Sequence, residues 1–267
     1  METALSTTRE APAGTQSVER ALSLLTHFSD RYPARRISEL VAESGLGQST
    51  VSRLVGTLTS LRFLAHDERT GLYRLGDEPL RMANIALNYS AVHQRARQIA
   101  QELAHETGLG VNVAELDGSR FLYLLNFEGA KAPRPATLVG RTGPLHATAL
   151  GKSLLSGLDD DEIRLLLGDE LPAHTPHTLT DPEVLIAEVA RVRTTGYAVE
   201  LEEAAPGRAC LAAPIRGRDG TVVAAISISG PLPAMALDKQ EERLADLAVH
   251  WAGEISSGLG YLGGTVT

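Results

Sequence analysis

Between positions 17 and 58 the apolar residues recur at helical spacing in three separate runs. Val18, Ala21, Leu22, Leu25 and Phe28 follow the step of one helix face, with Ser17 placed to cap its start. After DRYPARR, Ile37, Leu40 and Val41 share one side of ISELVAESGL, which predicts a short helix stopped by Gly45 as a C-cap glycine. Gly45, Leu46 and Gly47 separate it from a third helix, in which Val51, Leu54, Val55 and Leu58 obey the i, i+3, i+4, i+7 rule. Two short helices across a tight glycine-bearing turn predict a helix-turn-helix. The spacing then changes: residues 63–66 and 72–75 are short strand-like runs flanking the polar turn Asp-Glu-Arg-Thr-Gly, a hairpin that completes a winged helix. Residues 77–90 return to helical spacing through Leu80, Ile85 and Leu87, and residues 91–106 continue through Val92, Ala96, Ile99 and Leu103.

Beyond Gly108 the texture is different. GVNVAELDGSRFLYLLNFEG predicts two strands joined at Asp117-Gly118, and RPATLVGR reads as a third. HATALGKSLLSGL, DDEIRLLLG and PEVLIAEVARVRTTG predict three helices. RACLAAPIR and TVVAAISIS are strands joined by the turn at 217–220, residues 236–257 form a closing helix, and the tail GLGYLGGTVT is expected to fray. This order predicts an α+β domain built on an antiparallel sheet.

A chain of 267 residues is long for one core, which favours two domains. No run approaches the roughly 18 apolar residues of a membrane span. METALSTTREAPAGTQ lacks the apolar core of a signal peptide and reads as a disordered leader, so a cytoplasmic location without membrane partners is expected. Cys210 is the sole cysteine, which excludes an internal disulfide and a cysteine-cluster metal site and suits a reducing compartment. The net charge of −8 speaks against nucleic acid until it is divided along the chain. Residues 1–90 hold ten Arg, no Lys and ten acids, so residues 91–267 carry the whole excess, and residues 31–74 hold seven Arg against four acids. With screening over about 8 to 10 Å at physiological salt, a DNA-facing patch answers to its own neighbourhood.

SVERALSLL, the helix-turn-helix, TGLYRLG, GPLHATALGKSLL, GYAVELEE, CLAAPI and GTVVAAISISGP occur in the order found in the IclR family of bacterial transcriptional regulators, which the chain resembles over about residues 15–258. The resemblance implies an N-terminal winged helix-turn-helix plus a C-terminal effector domain similar to GAF and profilin-like folds. On that layout residues 1–14 are the leader, 15–76 the DNA-binding domain, 77–90 a linker helix, 91–258 the effector-binding domain and 259–267 a flexible tail. It further implies a non-enzymatic repressor that works as a dimer or dimer of dimers on a palindromic double-stranded operator, under control of a small metabolite and without a cofactor.

On a helical wheel of the third helix, Ser49, Arg53, Gly56 and Ser60 lie opposite the apolar stripe, flanked by Thr50, Thr57 and Ser52. Together with Gln48 this face carries no carboxylate. Hydroxyls beside a helix N-terminus suit phosphates, and Arg53 suits a phosphate or the O6 and N7 of guanine. An ordinary solvated face would carry Glu or Asp. Arg35 and Arg36 ahead of the second helix and Arg69 at the wing tip are expected phosphate contacts, with Asp67 and Glu68 weakening the wing. Gly56 signals a close approach of a neighbour or of DNA, or is simply tolerated at roughly 1 kcal/mol.

The family's effector positions carry over, residue by residue, to Ala149, Leu150, Glu200, Cys210, Ser227 and Ser229. A helix N-terminus, two hydroxyls and a thiol suit a small organic or aromatic carboxylic acid. Ser227 and Ser229, two apart, share one sheet face, with Ile226 and Ile228 on the other. Glu200 facing such an acid needs an intervening donor, a proton or a ligand hydroxyl. Cys210 reads as pocket wall rather than redox switch. His146 reads as a structural hydrogen-bonding residue, since no nucleophile motif accompanies it. His174 and His177 lack further ligands for a metal, and no metal is expected. GKS at 151–153 lacks the leading glycine of a phosphate loop, and GLGYLG at 258–263 has no helix after it. The rivals are an enzyme on the sensor-domain fold, for which no catalytic pair is found, and a DNA-binding assembly protein that senses nothing.

Overall fold

A computed structural model describes residues 15–133 and 137–263, and the chain divides between Asn88 and Tyr89 into two compact units. The leader expected at 1–14, residues 134–136 of the expected third strand and residues 264–267 of the tail lie outside the described residues.

The first unit runs α1 (Gln16–Leu25), β1 (Ala34–Arg35), α2 (Ile37–Ser44), α3 (Gln48–Ser60), β2 (Leu64–Asp67) and β3 (Leu72–Leu75), followed by α4 (Glu78–Tyr89). Its core is Leu24, Phe28, Leu40, Val51, Leu54, Val55, Leu58 and Leu64. The spacing selects these residues in α2 and α3, but in α1 it passes over the wholly buried Leu24 and includes Val18 and Leu22, which are exposed because no described residue of this unit packs on that side. Helix α1 starts earlier than Ser17, because the Thr15 carbonyl accepts the first-turn N–H groups of Val18 and Glu19. Gly45 closes α2 at φ +68°, where a side chain would be strained. Strand β1 is too short to leave a period in the sequence; it exists because Ala34 and Arg35 pair with Arg74 and Tyr73, giving the sheet order β1-β3-β2. No residue of α4 is buried, and Leu80 and Ile85 stay 73% and 68% exposed.

The second unit runs α5 (Ala91–Thr107), β4 (Gly110–Asp117), β5 (Arg120–Phe127), β6 (Thr142–Pro144), α6 (Ala149–Leu155), α7 (Asp160–Leu167), α8 (Pro182–Thr195), β7 (Ala198–Leu201), β8 (Arg208–Arg216), β9 (Val222–Pro231), α9 (Leu232–Met235) and α10 (Leu237–Gly258). Its six-stranded antiparallel sheet has the order β6-β5-β4-β9-β8-β7. Two corrections concern strands. Residues 137–141 of RPATLVGR are irregular, and the strand at that edge is instead Thr142–Pro144. GYAVELEE supplies β7, a further strand, which four alternating residues were too few to announce. Alternation assigns the faces: Ala114, Ala198, Ala212 and Ala225 pack with α6, α7 and α8 in one core, while α5 and α10 lie along β4 and β8. Small residues on the first face let α6 approach the sheet closely.

Candidate functional site

Helix α3 presents Gln48, Ser49, Ser52, Arg53, Gly56 and Thr57 to solvent and Thr50 partly so, while Val51, Leu54, Val55 and Leu58 are buried. Gly47 offers no side chain to cap the helix, so the orphan N–H groups of its first turn are open to an incoming acceptor. No acid lies between Gln48 and Ser60. Thr57 is less available than the wheel suggests, because its Oγ1 donates to the Arg53 carbonyl at 3.1 Å. A Cβ built on Gly56 meets nothing within 4 Å, which removes crowding by this chain as the reason for that glycine.

Arg35 is a correction. Its side chain is buried: Nη1 and Nη2 meet the two carboxylate oxygens of Glu43 at 2.8 and 2.9 Å, Nε donates to the His27 carbonyl, and the guanidinium lies 4.1 Å over the Tyr32 ring. Its charge is spent within the unit, so it is no phosphate contact here. Arg36, next in sequence, is the extended N-cap residue of α2; it is exposed, with a guanidinium nitrogen 3.2 Å from where a Cβ on the wing residue Gly71 would stand. Arg69 is exposed at the wing tip. Asp67 does not simply oppose DNA there. Its carboxylate accepts from the Arg69 and Thr70 N–H groups and the Thr70 hydroxyl, which shapes the wing turn, and the Thr70 bond leads in holding its carboxyl below the usual range.

In the second unit a cavity of about 170 Å³ opens over the α6 face of the sheet. Its floor is one cross-strand row: Glu200 of β7 pairs with Cys210 of β8, Cys210 with Ser229 of β9, and Ser229 with Gly110 of β4. The adjacent row contributes Ser227 and, opposite it, Asn112. Thus Glu200, Cys210, Ser227, Ser229 and Leu150, far apart in sequence, do line one cavity. Ala149 does not: it is wholly buried in the core formed by α6, α7, α8 and the sheet, and Thr148 stands at the cavity instead.

Of the cavity residues that the sequence reading missed, two carried a signal in the chain. Arg208 shares the parity of Cys210 in RACLAAPIR, and Asn112 is the polar member of an apolar alternation in GVNVAEL. The Asn112 amide nitrogen lies 3.3 Å from both the Ser227 and the Ser229 hydroxyl oxygens.

Glu200 is 4% exposed, and burial pushes its carboxyl up to about 7 against the opposing pull of two backbone N–H bonds, from Glu203 and Ala204 to Oε1. Beside it Lys152, fully buried, donates to Glu203 at 2.6 Å. The loop after β7 is therefore pinned from below by an ion pair. Thr175 and Thr178 hold it from the side through the Glu202 and Glu203 carbonyls, and Glu202 itself adopts a left-handed φ of +57°. His146 bonds the Pro172 carbonyl at 2.9 Å and stacks on His174, a structural placement. Gly151 of the GKS run is set by packing, since a Cβ there would fall 2.1 Å from the Leu145 carbonyl oxygen.

Comparison with known proteins bears on both places. Residues 17–68 match the IclR helix-turn-helix domain, and residues 85–257 match the bacterial transcriptional regulator IclR C-terminal domain. The chain is 34% identical over 215 residues to the HTH-type transcriptional regulator XynR of Escherichia coli K12, covering 80% of this chain and 85% of that one. It is 31% identical over 256 residues to the HTH-type transcriptional repressor AllR of the same organism, covering 94% and 92%. The crystal structure of an IclR homolog complexed with 4-hydroxybenzoate, from Microbacterium hydrocarbonoxydans, matches with a TM-score of 0.79 at 25% identity, over 91% of this chain and 98% of that one.

Proposed function

The chain belongs to the IclR family of DNA-binding transcriptional regulators with a C-terminal effector domain, and from that premise we propose that it is a repressor released from a palindromic operator by a small carboxylic acid. The observation that carries this reading is the cavity: two serine hydroxyls and the Arg208 side chain converge on a space about the size that accommodates a single aromatic ring. Hydroxyl and guanidinium donors favour a carboxylate. The 4-hydroxybenzoate held by the similar structure and the repressor name of one relative support the same direction. Both curated relatives are named as HTH-type transcriptional regulators or repressors.

On the DNA side, α3 is the reading helix in this proposal. Arg53 reads base edges, Ser49, Thr50 and Ser52 with Gln48 contact phosphates, and Arg36 and Arg69 clamp the backbone beside the wing. The exposed apolar residues of α4, Leu80, Met82 and Ile85, and Val18 and Leu22 of α1 are the surface through which a second copy completes the dimer.

The test joins two measurements on the full chain. A thermal-shift screen of two- to seven-carbon carboxylic acids, benzoate and 4-hydroxybenzoate included, identifies the acid; gel shifts on the DNA upstream of the chain's own gene then measure its effect. An acid that raises Tm and weakens the DNA complex is expected. An acid that raises Tm and leaves DNA affinity unchanged overturns the control mechanism, one that tightens the complex overturns release, and no shift with any acid favours the reading in which the second unit only assembles.

A further inference from the structure

We propose that Asn126, which stands outside the cavity, sets the cavity's preference for hydrogen-bond-accepting ligands by fixing the direction of a chain of side-chain bonds that ends on Ser227 and Ser229; this rests on the carboxylate reading above. The chain runs along one row of the sheet, where Asn126 of β5 pairs with Asn112 of β4 and Asn112 pairs with Ser227 of β9. Its direction has a fixed origin. The Leu138 backbone N–H, which can only donate, meets Asn126 Oδ1 at 3.3 Å. Asn126 must therefore turn its amide nitrogen to the other side, where it donates to Asn112 Oδ1 at 2.9 Å.

That bond in turn settles Asn112. With its oxygen facing Asn126, its nitrogen faces the two serines and donates to both Oγ atoms at 3.3 Å. Ser227 and Ser229, 0% and 5% exposed, thus receive a hydrogen bond from behind and keep their own protons for the cavity that they line. The reverse orientation would draw those protons back onto Asn112 Oδ1 and leave only lone pairs facing a ligand. One backbone N–H two strands away thereby decides whether the cavity floor offers donors or acceptors. Asn126 is a positioning residue: it acts on the ligand through Asn112.

Two measurements on the full chain test this. Neutron diffraction of ligand-free crystals exchanged into D2O should show the Ser227 and Ser229 deuterons directed into the cavity and the Asn112 deuterons directed at the serines; serine deuterons pointing at Asn112 overturn the proposal. Calorimetric titration with benzoate and with benzyl alcohol supplies the second readout, since benzyl alcohol both donates and accepts and is indifferent to the direction. Asn126→Leu should weaken benzoate about ten-fold, the worth of one hydrogen bond, and leave benzyl alcohol within about two-fold. Asn126→Asp, of nearly the same shape, accepts from both Leu138 and Asn112 and forces the reversal; it should cost benzoate at least as much, and it serves if the leucine variant does not fold. Equal weakening of both probes, or unchanged benzoate binding, overturns the proposal. If the unaltered protein binds neither probe, the carboxylate reading of the cavity fails, and the deuteron positions still decide the direction of the chain.

Discussion

Arg35 and Arg36 are neighbours of one type with opposite fates: Arg35 ends strand β1 with its side chain buried, and Arg36 is the exposed extended residue that starts α2. Removing Arg35 takes away a buried side chain that bonds Glu43 and the His27 carbonyl and lies on the Tyr32 ring, so Arg35→Ala should lower the stability of the first unit by about 1 to 2 kcal/mol, read by chemical denaturation. Arg36→Ala should leave stability unchanged and reduce the slope of log affinity against log salt by about 0.9 in gel-shift titrations. Arg53→Ala should abolish the difference between operator and random DNA; retained discrimination would remove α3 as the reader. Glu200 carries the pH dependence. Its carboxyl titrates at about 7 in the folded chain, against an ordinary value near 4.5, because burial disfavours the charge more than the Glu203 and Ala204 N–H groups favour it. The folded state therefore binds the proton more tightly, and Glu200 contributes stability that is present below about pH 4.5 and lost as pH rises through about 7. Glu200→Gln keeps the acceptor for both N–H groups, so its Tm should fall less than that of the unaltered chain between about pH 5 and about pH 8, with Lys152 and Glu203 still paired beside it.

At the scale of elements, α6 explains why the run GKS looks like a phosphate loop and is not one. Gly151 lets the first turn of α6 lie against the Leu145 backbone, Thr148 caps that turn by accepting from the Gly151 N–H, and Lys152 is spent on Glu203 under the loop after β7. Because the contact is backbone, no side chain can swing aside, and Gly151→Ala should destabilise the second unit by about 3 kcal/mol and lower its Tm in differential scanning calorimetry. Gly56→Ala is the counter-case. Nothing in the chain crowds it, so the substitution should stabilise α3 by up to about 1 kcal/mol. If DNA affinity falls while stability rises, close approach of the DNA accounts for the glycine. The wing shows the same economy: Asp67 places a negative charge at the wing tip and shapes the turn that presents Arg69.

For the whole molecule the telling element is α4, which buries none of its own apolar residues. Leu80, Met82 and Ile85 are poor company for water on a helix of that length, and a second copy covering them would also supply the two-fold symmetry a palindromic site requires. Ile85→Glu should shift the chain from dimer toward monomer in analytical ultracentrifugation and weaken operator binding in parallel, while Leu165→Glu, on an equally exposed apolar residue of α7, should leave both unchanged.

The helices of the first unit, the hairpin at Asp117 and the antiparallel character of the second unit were legible in the chain, because each depends on a local period or on a turn residue. The carboxylate-free face of α3 was legible for the same reason, since the faces of a helix follow from spacing alone. Strands β1 and β7 were not, because two and four residues are too few to set a period and their existence depends on partners distant in sequence. Nor could spacing show that Arg35 turns inward to Glu43 or that Ala149 sinks into the core. The cavity itself belongs to the tertiary structure: alternation puts Ser227 and Ser229 on one face, but only the register of β7, β8, β9 and β4 sets Glu200, Cys210 and Ser229 in one row with Asn112 beside them. Local propensity fixes which way a residue faces along its own element, and pairing between elements fixes what it faces.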